Sequence, residues 1–280
     1  MNRREFCVSS AGAVFAPLAT ASQDSQEFDV MQSWMKCAAA LDSRLVIWWM
    51  DGVRYGVVEQ RSQPMYGMKV GIFQRYFPVS DGLWKIAMFE LTYYTDLNTG
   101  ELLENWDNFY TGETNTVRHV RLGPEIRIQN NEGQAADPDD RVMQQMLQDY
   151  RTTLGPPTVL GNEFWLPTSV EARLVFPGSK GTELVLNHYT TINGNVSDAM
   201  DPALVSAPCS IAFQNILRWE PWMQMGKHPG HMMSRAAGRK LESLEDLPAD
   251  YRRMAETVHP KLIRDPLKTL EETVARIQGS

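Results

Sequence analysis

Residues Leu83–Thr95 read LWKIAMFELTYYT, and residues Asp96–Glu101, which follow them directly, read DLNTGE. The first segment is rich in aromatic and β-branched residues and contains no glycine or proline, which predicts a long β-strand. The second segment combines aspartate, asparagine and glycine, which favour tight turns, so it predicts a reversal of the chain. A strand that ends in such a turn is typical of an antiparallel sheet.

Similar patterns lie on both sides of this strand. Residues 44–50 and 53–59 are both strand-like, and Asp51-Gly52 between them is a two-residue hairpin signal. After the strand, Thr99-Gly100-Glu101 is repeated as Thr111-Gly112-Glu113, each time behind an asparagine and ahead of a strand-like run. The spacing of the two copies corresponds to one strand plus one turn, so the repeat predicts a β-meander.

The second half of the chain continues in the same way. Residues 170–176 and 182–192 are strand-like, and the glycine- and proline-containing segment 177–181 predicts a hairpin between them. Asn193-Gly194 predicts the start of a further hairpin, and residues 210–218 predict another strand. The sequence therefore predicts a sheet of many strands, most of them antiparallel neighbours along the chain.

Helical periodicity occurs in four segments: residues 31–41, 138–150, 248–258 and 266–277. Asp137 is expected to cap the second of these helices, with Pro138 at its first position. An antiparallel sheet of eight or more strands has to curl or split, so the fold class is predicted as α+β, mainly antiparallel β. We expect a curved, barrel-like sheet, similar to that of lipocalins, with flanking helices. Small barrels of this kind often hold one small ligand.

The N-terminus has the features of a twin-arginine signal peptide. Arg3 and Arg4 are followed by Phe6, an apolar run over residues 7–19 and the small-residue pattern Ala19-Thr20-Ala21. The apolar run is too short to span a bilayer. We therefore expect residues 1–21 to be removed after export by the twin-arginine translocase, and the mature protein to be periplasmic or secreted.

The remaining residues, 22–280, show no linker and no low-complexity tract, which predicts a single β-rich domain. The chain has a net charge of −7 with both signs interspersed, which argues against nucleic acid as a partner. It has no second long apolar run, which argues against stable membrane insertion.

Cysteine content and motifs limit the choice of cofactor. The predicted mature chain has two cysteines, Cys37 and Cys209, too few to hold an iron–sulfur cluster. Free buried thiols are the favoured state, because twin-arginine substrates usually cross the membrane folded; a disulfide in an oxidising compartment remains the alternative. Phosphate-binding glycine motifs and the zinc motif H-E-x-x-H are missing from the sequence. We therefore predict no cofactor and no metal site.

One pattern keeps copper open as an alternative. His228 and His231 lie close in sequence to four methionines: Met223, Met225, Met232 and Met233. Imidazole and thioether groups are ligands that suit copper. The alternative interpretation is a turn with two solvent-facing histidines beside core methionines.

Several segments resemble a known family. They are YTDLNTGELLENW (94–106), NFYTGE (108–113), VRHV (117–120), WEPWMQMG (219–226) and Gly230. These segments are similar to family 1838 of the catalogued domains of unknown function, and the resemblance extends over roughly residues 30 to 265. It implies a single domain. Because the family has no established activity, the resemblance implies no site residue and no cofactor.

Two ionisable residues fall on strand faces that are otherwise apolar. Strand side chains alternate, so Glu90 shares a face with Trp84, and His188 shares a face with Leu186 and Ile192. Burying either group without a partner costs on the order of several kcal/mol, so each is expected to be paired or to line a cavity. One interpretation is a catalytic acid/base pair. The other is a pair of structural groups satisfied by the backbone or by arginine.

The predicted function follows from these features. We expect an exported protein that binds a small apolar or aromatic molecule in a barrel cavity. Besides the catalytic candidates His188 and Glu90, the candidate ligand-binding residues are Trp84, Trp106, Glu113, His119, Trp219 and Trp222. The alternatives are a cofactor-independent hydrolase or isomerase that uses a histidine–carboxylate pair, and a copper-binding periplasmic protein.

Overall fold

The computed structural model describes residues 30–80, 82–130, 133–139, 141–175 and 183–278. The strands are β1 Val46–Val58, β2 Arg61–Ser80, β3 Leu83–Thr95, β4 Asn105–Asn108, β5 Glu113–Thr116, β6 Val120–Asn130, β7 Gly133–Ala136, β8 Leu147–Leu154, β9 Thr158–Leu160, β10 Glu163–Val175, β11 Glu183–Asn195, β12 Cys209–Leu217 and β13 His231–Leu241. The helices are α1 Val30–Ala38, α2 Arg141–Met146, α3 Val196–Met200, α4 Ala249–Val258, α5 Pro260–Arg264 and α6 Pro266–Gln278. Short 3-10 helices lie at Pro221–Met223 and Leu244–Asp246.

One antiparallel sheet dominates the molecule. Its strands follow the order β7-β6-β3-β2-β1-β13-β12-β11-β10-β8, and β9 pairs with β10. The sheet curls until its two end strands, β7 and β8, come into contact, so that it forms a nearly closed barrel. The predicted fold class, an α+β protein with a curved, mainly antiparallel sheet, is confirmed. No helix in the described ranges is both long and apolar enough to cross a membrane.

Strands β1, β2 and β3 are buried on both faces. Their inner face joins a core cluster inside the barrel that includes Trp48 and Tyr94. Their outer face, which includes Phe73 and Phe89, packs against the C-terminal helices α4, α5 and α6. The Tyr251 hydroxyl of α4 donates a hydrogen bond of 2.9 Å to the carbonyl of Leu91 and so ties helix to sheet.

Helix α1 covers one end of the barrel. The carbonyl of Ala38 accepts hydrogen bonds of 2.9 Å from the Trp48 indole and from the Gln74 amide. The buried Lys240 ammonium donates to the carbonyls of Lys36 and Ala39, at 2.6 and 3.1 Å. These donors satisfy carbonyls at the C-terminal end of the helix, which have no partner within it. The opposite end is covered by the hairpin of β4 and β5 and by the 3-10 helix Pro221–Met223.

The segment of residues 83–101 folds as the sequence predicts. Strand β3 has the predicted bounds, Leu83–Thr95. The turn after it is closed by a hydrogen bond of 2.9 Å from the Asp96 amide to the Glu101 carbonyl. Gly100 and Gly112 of the two repeated motifs both have positive φ, 73° and 77°, which explains why the same residue type recurs there. Three of the four predicted helices are found, as α1, α4 and α6.

The predicted hairpin turn at Asp51-Gly52 is wrong, because both residues lie inside the continuous strand β1. The turn between β1 and β2 occurs instead at Glu59 and Gln60, which both have positive φ. Gly52 serves a different purpose, since a Cβ at this position would lie 2.2 Å from the Arg235 carbonyl oxygen of β13. The glycine allows β1 and β13 to approach each other closely. Because a tight turn also favours glycine, the sequence alone does not distinguish the two cases.

Two further predictions in the second half of the chain are corrected. Asn193 and Gly194 do not start a hairpin but lie within β11, where Gly194 pairs with Phe164 of β10. The predicted helix over residues 138–150 is helical only in α2, and residues 147–154 form strand β8 against β10. Tertiary pairing overrides the local helical spacing there. The predicted turn at 177–181 lies outside the described residues.

Candidate functional site

A row of polar side chains crosses the inner face of the sheet. Arg54 of β1 lies opposite Ser234 of β13, Ser234 lies opposite Asn215 of β12, and Asn215 lies opposite His188 of β11. Residues that are directly paired across antiparallel strands project from the same face. The register therefore places the arginine and the histidine in one row on the wall of the barrel interior.

Arg54 is the centre of a buried hydrogen-bond network. Its side chain is only 4% exposed, and its guanidinium donates to the Tyr94 hydroxyl at 3.1 Å and to Asn215 Oδ1 at 3.4 Å. The Glu220 carboxylate lies 3.6 Å from the same guanidinium and accepts a hydrogen bond of 2.6 Å from the Tyr94 hydroxyl. Burial raises the pKa of Tyr94 well above its usual range, so the phenol remains a neutral donor.

Aromatic rings pack around this network at the end of the barrel covered by the β4–β5 hairpin. The Tyr66 ring lies 4.7 Å from Tyr94, 5.7 Å from Trp106 and 5.9 Å from Trp222, measured between centroids. The indole N–H of Trp222 donates to Glu220. The aromatic cluster and the buried ion pair therefore form one unit that closes this end.

A second set of charged groups lies on the β3–β6 wall. Glu90 accepts a hydrogen bond of 2.8 Å from the Thr92 hydroxyl, and burial raises the pKa of its carboxyl group. Arg127 of β6 donates to Glu125 at 2.6 Å and to the Tyr150 hydroxyl of β8 at 3.4 Å. These contacts fix the guanidinium against the interior wall.

His188 faces Arg127 across the interior of the barrel. Burial lowers the pKa of His188 to about 4, with further lowering by the charges of Arg54 and Arg127. Arg127 belongs to β6 and His188 to β11, which are separated in the nearly closed barrel by β7, β8 and β10 on one side and by five strands on the other. Because at least three strands lie between them along the wall, the charge of Arg127 acts on the imidazole across the barrel interior.

Several inward-facing residues on two walls of the barrel keep part of their surface accessible. From this partial exposure we infer that side chains do not fill the interior completely. The partly exposed residues are Ile72, Glu90, Leu122 and Arg127 on one wall, and Val170, Leu186, His188, Thr190 and Phe213 on the other. We call the space between these two walls the lumen. The His188 ring contacts Phe213 edge-on, at 5.3 Å between centroids, and no described residue forms a hydrogen bond with its nitrogens.

The sequence-predicted residues are distributed over three places. Glu90, His188 and Trp84 lie on the inner face, while Trp106 and Trp222 belong to the aromatic cluster at the hairpin end. No carboxylate in the described ranges forms an ion pair with His188, so Glu90 and His188 stand on opposite walls without contact. The structure therefore provides a lumen with separate ionisable groups and not a preformed catalytic pair.

The remaining three candidates lie away from the lumen. His119 is half-buried and accepts a hydrogen bond of 3.2 Å from the Tyr94 amide, and burial lowers its pKa to about 4. Trp219 packs against Tyr110, at 5.3 Å between centroids. Glu113 is exposed on strand β5.

Sequence reasoning missed the residues that organise the site: Arg54, Tyr94, Arg127 and Glu220. Arg54 carried a usable signal, because it shares the inner face of β1 with Trp48 and Met50. The false turn at Asp51-Gly52 concealed that alternation.

Two methionines of the copper alternative converge on one side chain, whereas His228 contacts another. The sulfurs of Met223 and Met232 contact the Tyr66 hydroxyl, at 4.0 and 3.9 Å. The His228 ring packs against Tyr110, at 5.2 Å between centroids. Within the described ranges, no group of three or more histidine, cysteine, aspartate or glutamate side chains could hold a metal ion.

The electrostatic relation between His188 and the two arginines can be tested by NMR titration of the histidine ring. We expect His188 to remain neutral at about pH 5.5, where an unperturbed histidine with a pKa of about 6.5 is mostly protonated. In Arg127→Met the midpoint should rise, because a positive charge that disfavours the imidazolium is removed. Arg75→Met is the matched control, since Arg75 pairs with Glu271 of α6 outside the barrel. A midpoint near 6.5 in the wild type, or equal responses to both variants, would contradict this geometry.

Comparison with known proteins gives one result. Residues 42–154 and 179–278 match the model of a family described as "Protein of unknown function (DUF1838)". No curated protein and no solved structure matches the chain. The match covers most of the chain, and the chain belongs to this family of unknown function.

Proposed function

We propose that the lumen of the barrel binds a small, mostly apolar or aromatic molecule, and that the chain acts as an exported binding protein. The observation that carries the proposal is the combination of partly exposed apolar residues on the inner face and an imidazole without a described partner. Leu122, Leu186 and Phe213 provide apolar walls, while the imidazole of His188 has no described hydrogen-bond partner. Ligand pockets are typically apolar with a few polar groups that fix orientation.

The polar groups favour a ligand with one hydrogen-bonding substituent. His188 is neutral at neutral pH, because its pKa is lowered to about 4, so it offers one donor and one acceptor nitrogen. Arg127 is held by Glu125 and Tyr150 and offers a planar guanidinium on the facing wall. A flat molecule with a carbonyl, hydroxyl or carboxylate group matches this arrangement.

A cofactor-independent hydrolase or isomerase is the second candidate. It is favoured by the neutral imidazole of His188 and by the raised pKa of Glu90, which are properties of general acid–base groups. Since the two groups are not in contact, they would act from opposite sides of a bound substrate. Release of 2-naphthol from 2-naphthyl acetate, lost in His188→Gln and retained in Arg75→Met, would favour this candidate over a binding protein.

Binding in the lumen can be tested by calorimetric titration with 2-naphthoate. We expect Arg127→Met to weaken binding about tenfold, equivalent to about 1.4 kcal/mol, because a charge-assisted hydrogen bond to the carboxylate is lost. Leu186→Trp should abolish binding by filling the lumen, and Arg75→Met should bind like the wild type. If Arg127→Met and Leu186→Trp both bind as tightly as the wild type, the ligand does not occupy the lumen.

The export route is proposed on the sequence of the N-terminus, which lies outside the described residues. Replacement of Arg3 and Arg4 by lysine should leave unprocessed precursor in the cytoplasm, because the arginine pair is the feature that the translocase recognises. Immunoblotting of cell fractions measures this outcome. Normal processing at Ala21 in the double variant would refute the twin-arginine assignment.

A further inference from the structure

Cys37 and Cys209 form a contact that the proposed ligand site does not use. Cys37 lies in α1, the helix that covers one end of the barrel, and Cys209 is the first residue of β12. Both are free thiols in the structure. The Ala207 amide, two residues before Cys209, donates a hydrogen bond of 2.9 Å to the carbonyl of Lys36, the neighbour of Cys37, so the two segments lie side by side. The contact joins the helical cap to the wall of the barrel.

A positively charged group lies close to the two thiols. The Lys240 ammonium, held by the carbonyls of Lys36 and Ala39, lies near both sulfurs. The hydrogen bond from Cys37 and the charge of Lys240 lower the pKa of Cys209, whereas the pKa of Cys37 is raised by that hydrogen bond and by burial. The reactive form of a cysteine is its thiolate, so Cys209 is the more nucleophilic of the two.

Access to the pair is also asymmetric. Cys209 is 8% exposed and lies on the wall of a surface cleft of about 510 Å³ that also contains Pro208, Ser210 and Arg239. Gly194 of the neighbouring strand leaves room for the sulfur, since a Cβ there would lie 3.0 Å from Cys209 Sγ. Cys37 is 0% exposed and does not line this cleft. A small reagent in the cleft therefore reaches Cys209 first.

We propose that Cys209 and Cys37 are a thiol–disulfide exchange site, with Cys209 as the attacking thiol and Cys37 as the resolving thiol. The co-reactant is a low-molecular-weight disulfide. The Cys209 thiolate attacks one sulfur of that disulfide, and the other half leaves as a thiolate, giving a mixed disulfide on Cys209. Cys37 then loses its proton and attacks Cys209 Sγ, which releases the second half. Overall, two protein thiols are oxidised and one small disulfide is reduced to two thiols.

The product is a disulfide that fixes α1 to the barrel. In the reduced protein this end of the barrel is held by hydrogen bonds to Ala38 and to its neighbours. A covalent link between residues so distant in sequence restricts the unfolded chain strongly. Oxidation therefore stabilises the cap of the lumen without a change in the residues that line it.

The test is incubation of the reduced full chain, with the third cysteine replaced as Cys7→Ser in every sample, with oxidised glutathione, followed by intact mass spectrometry and peptide mapping. We expect the wild type to lose two hydrogen atoms and to retain no glutathione. Cys37→Ser should accumulate a glutathione adduct on Cys209, because the resolving thiol is missing. The matched variant Cys209→Ser should form no adduct, because Cys37 is covered.

A second readout separates this site from an accidental contact. The melting temperature of the oxidised wild type should exceed that of the reduced wild type by roughly 5 to 10 °C, whereas the two single variants should show no such difference. The proposal is overturned if glutathione leaves both wild-type thiols free, or if the adduct forms on Cys37 in Cys209→Ser.

Discussion

The guanidinium of Arg54 is buried inside a β-barrel, and this constraint determines much of the structure around it. A buried charge has to be paired and hydrogen-bonded, because the free energy of removing an unpaired charge from water is large and unfavourable. Its partners come from β12 through Asn215, from β3 through Tyr94, and from the segment after β12 through Glu220. One side chain therefore fixes the relative positions of the barrel wall and of the segment that covers its hairpin end.

The two halves of the barrel differ in what covers their outer face. Strands β1, β2 and β3 carry the C-terminal helices on the outside, which makes this half a rigid, doubly buried layer. On β11, in contrast, the side chain of Tyr189 is 46% exposed. The charged groups of the lumen are divided between these halves, with Glu90 on the helix-covered side and His188 on the other. A ligand between the walls contacts both.

Those parts of the fold that are encoded within one short segment of sequence were predicted correctly. Strand β3 and its turn were predictable because one segment contains both the β-forming residues and the turn residues. Gly52 misled the prediction, because close approach to β13 and a hairpin turn both require glycine. Residues 147–154 form a strand through pairing with β10, which their own spacing does not reveal. The alternation of side chains along each strand correctly placed Glu90 and His188 on inner faces. The approach of Arg127 to His188 depends on closure of the whole sheet, so the spacing of residues in the sequence does not predict it.

A binding site in the space between the walls of Glu90 and His188 should hold its ligand through a gentle purification. The test is native mass spectrometry of the protein purified from the cells that express it naturally. We expect the additional mass of a small molecule that is present under native conditions and lost on denaturation. An identical protein mass under both conditions, together with no shift on addition of aromatic carboxylates, would contradict it.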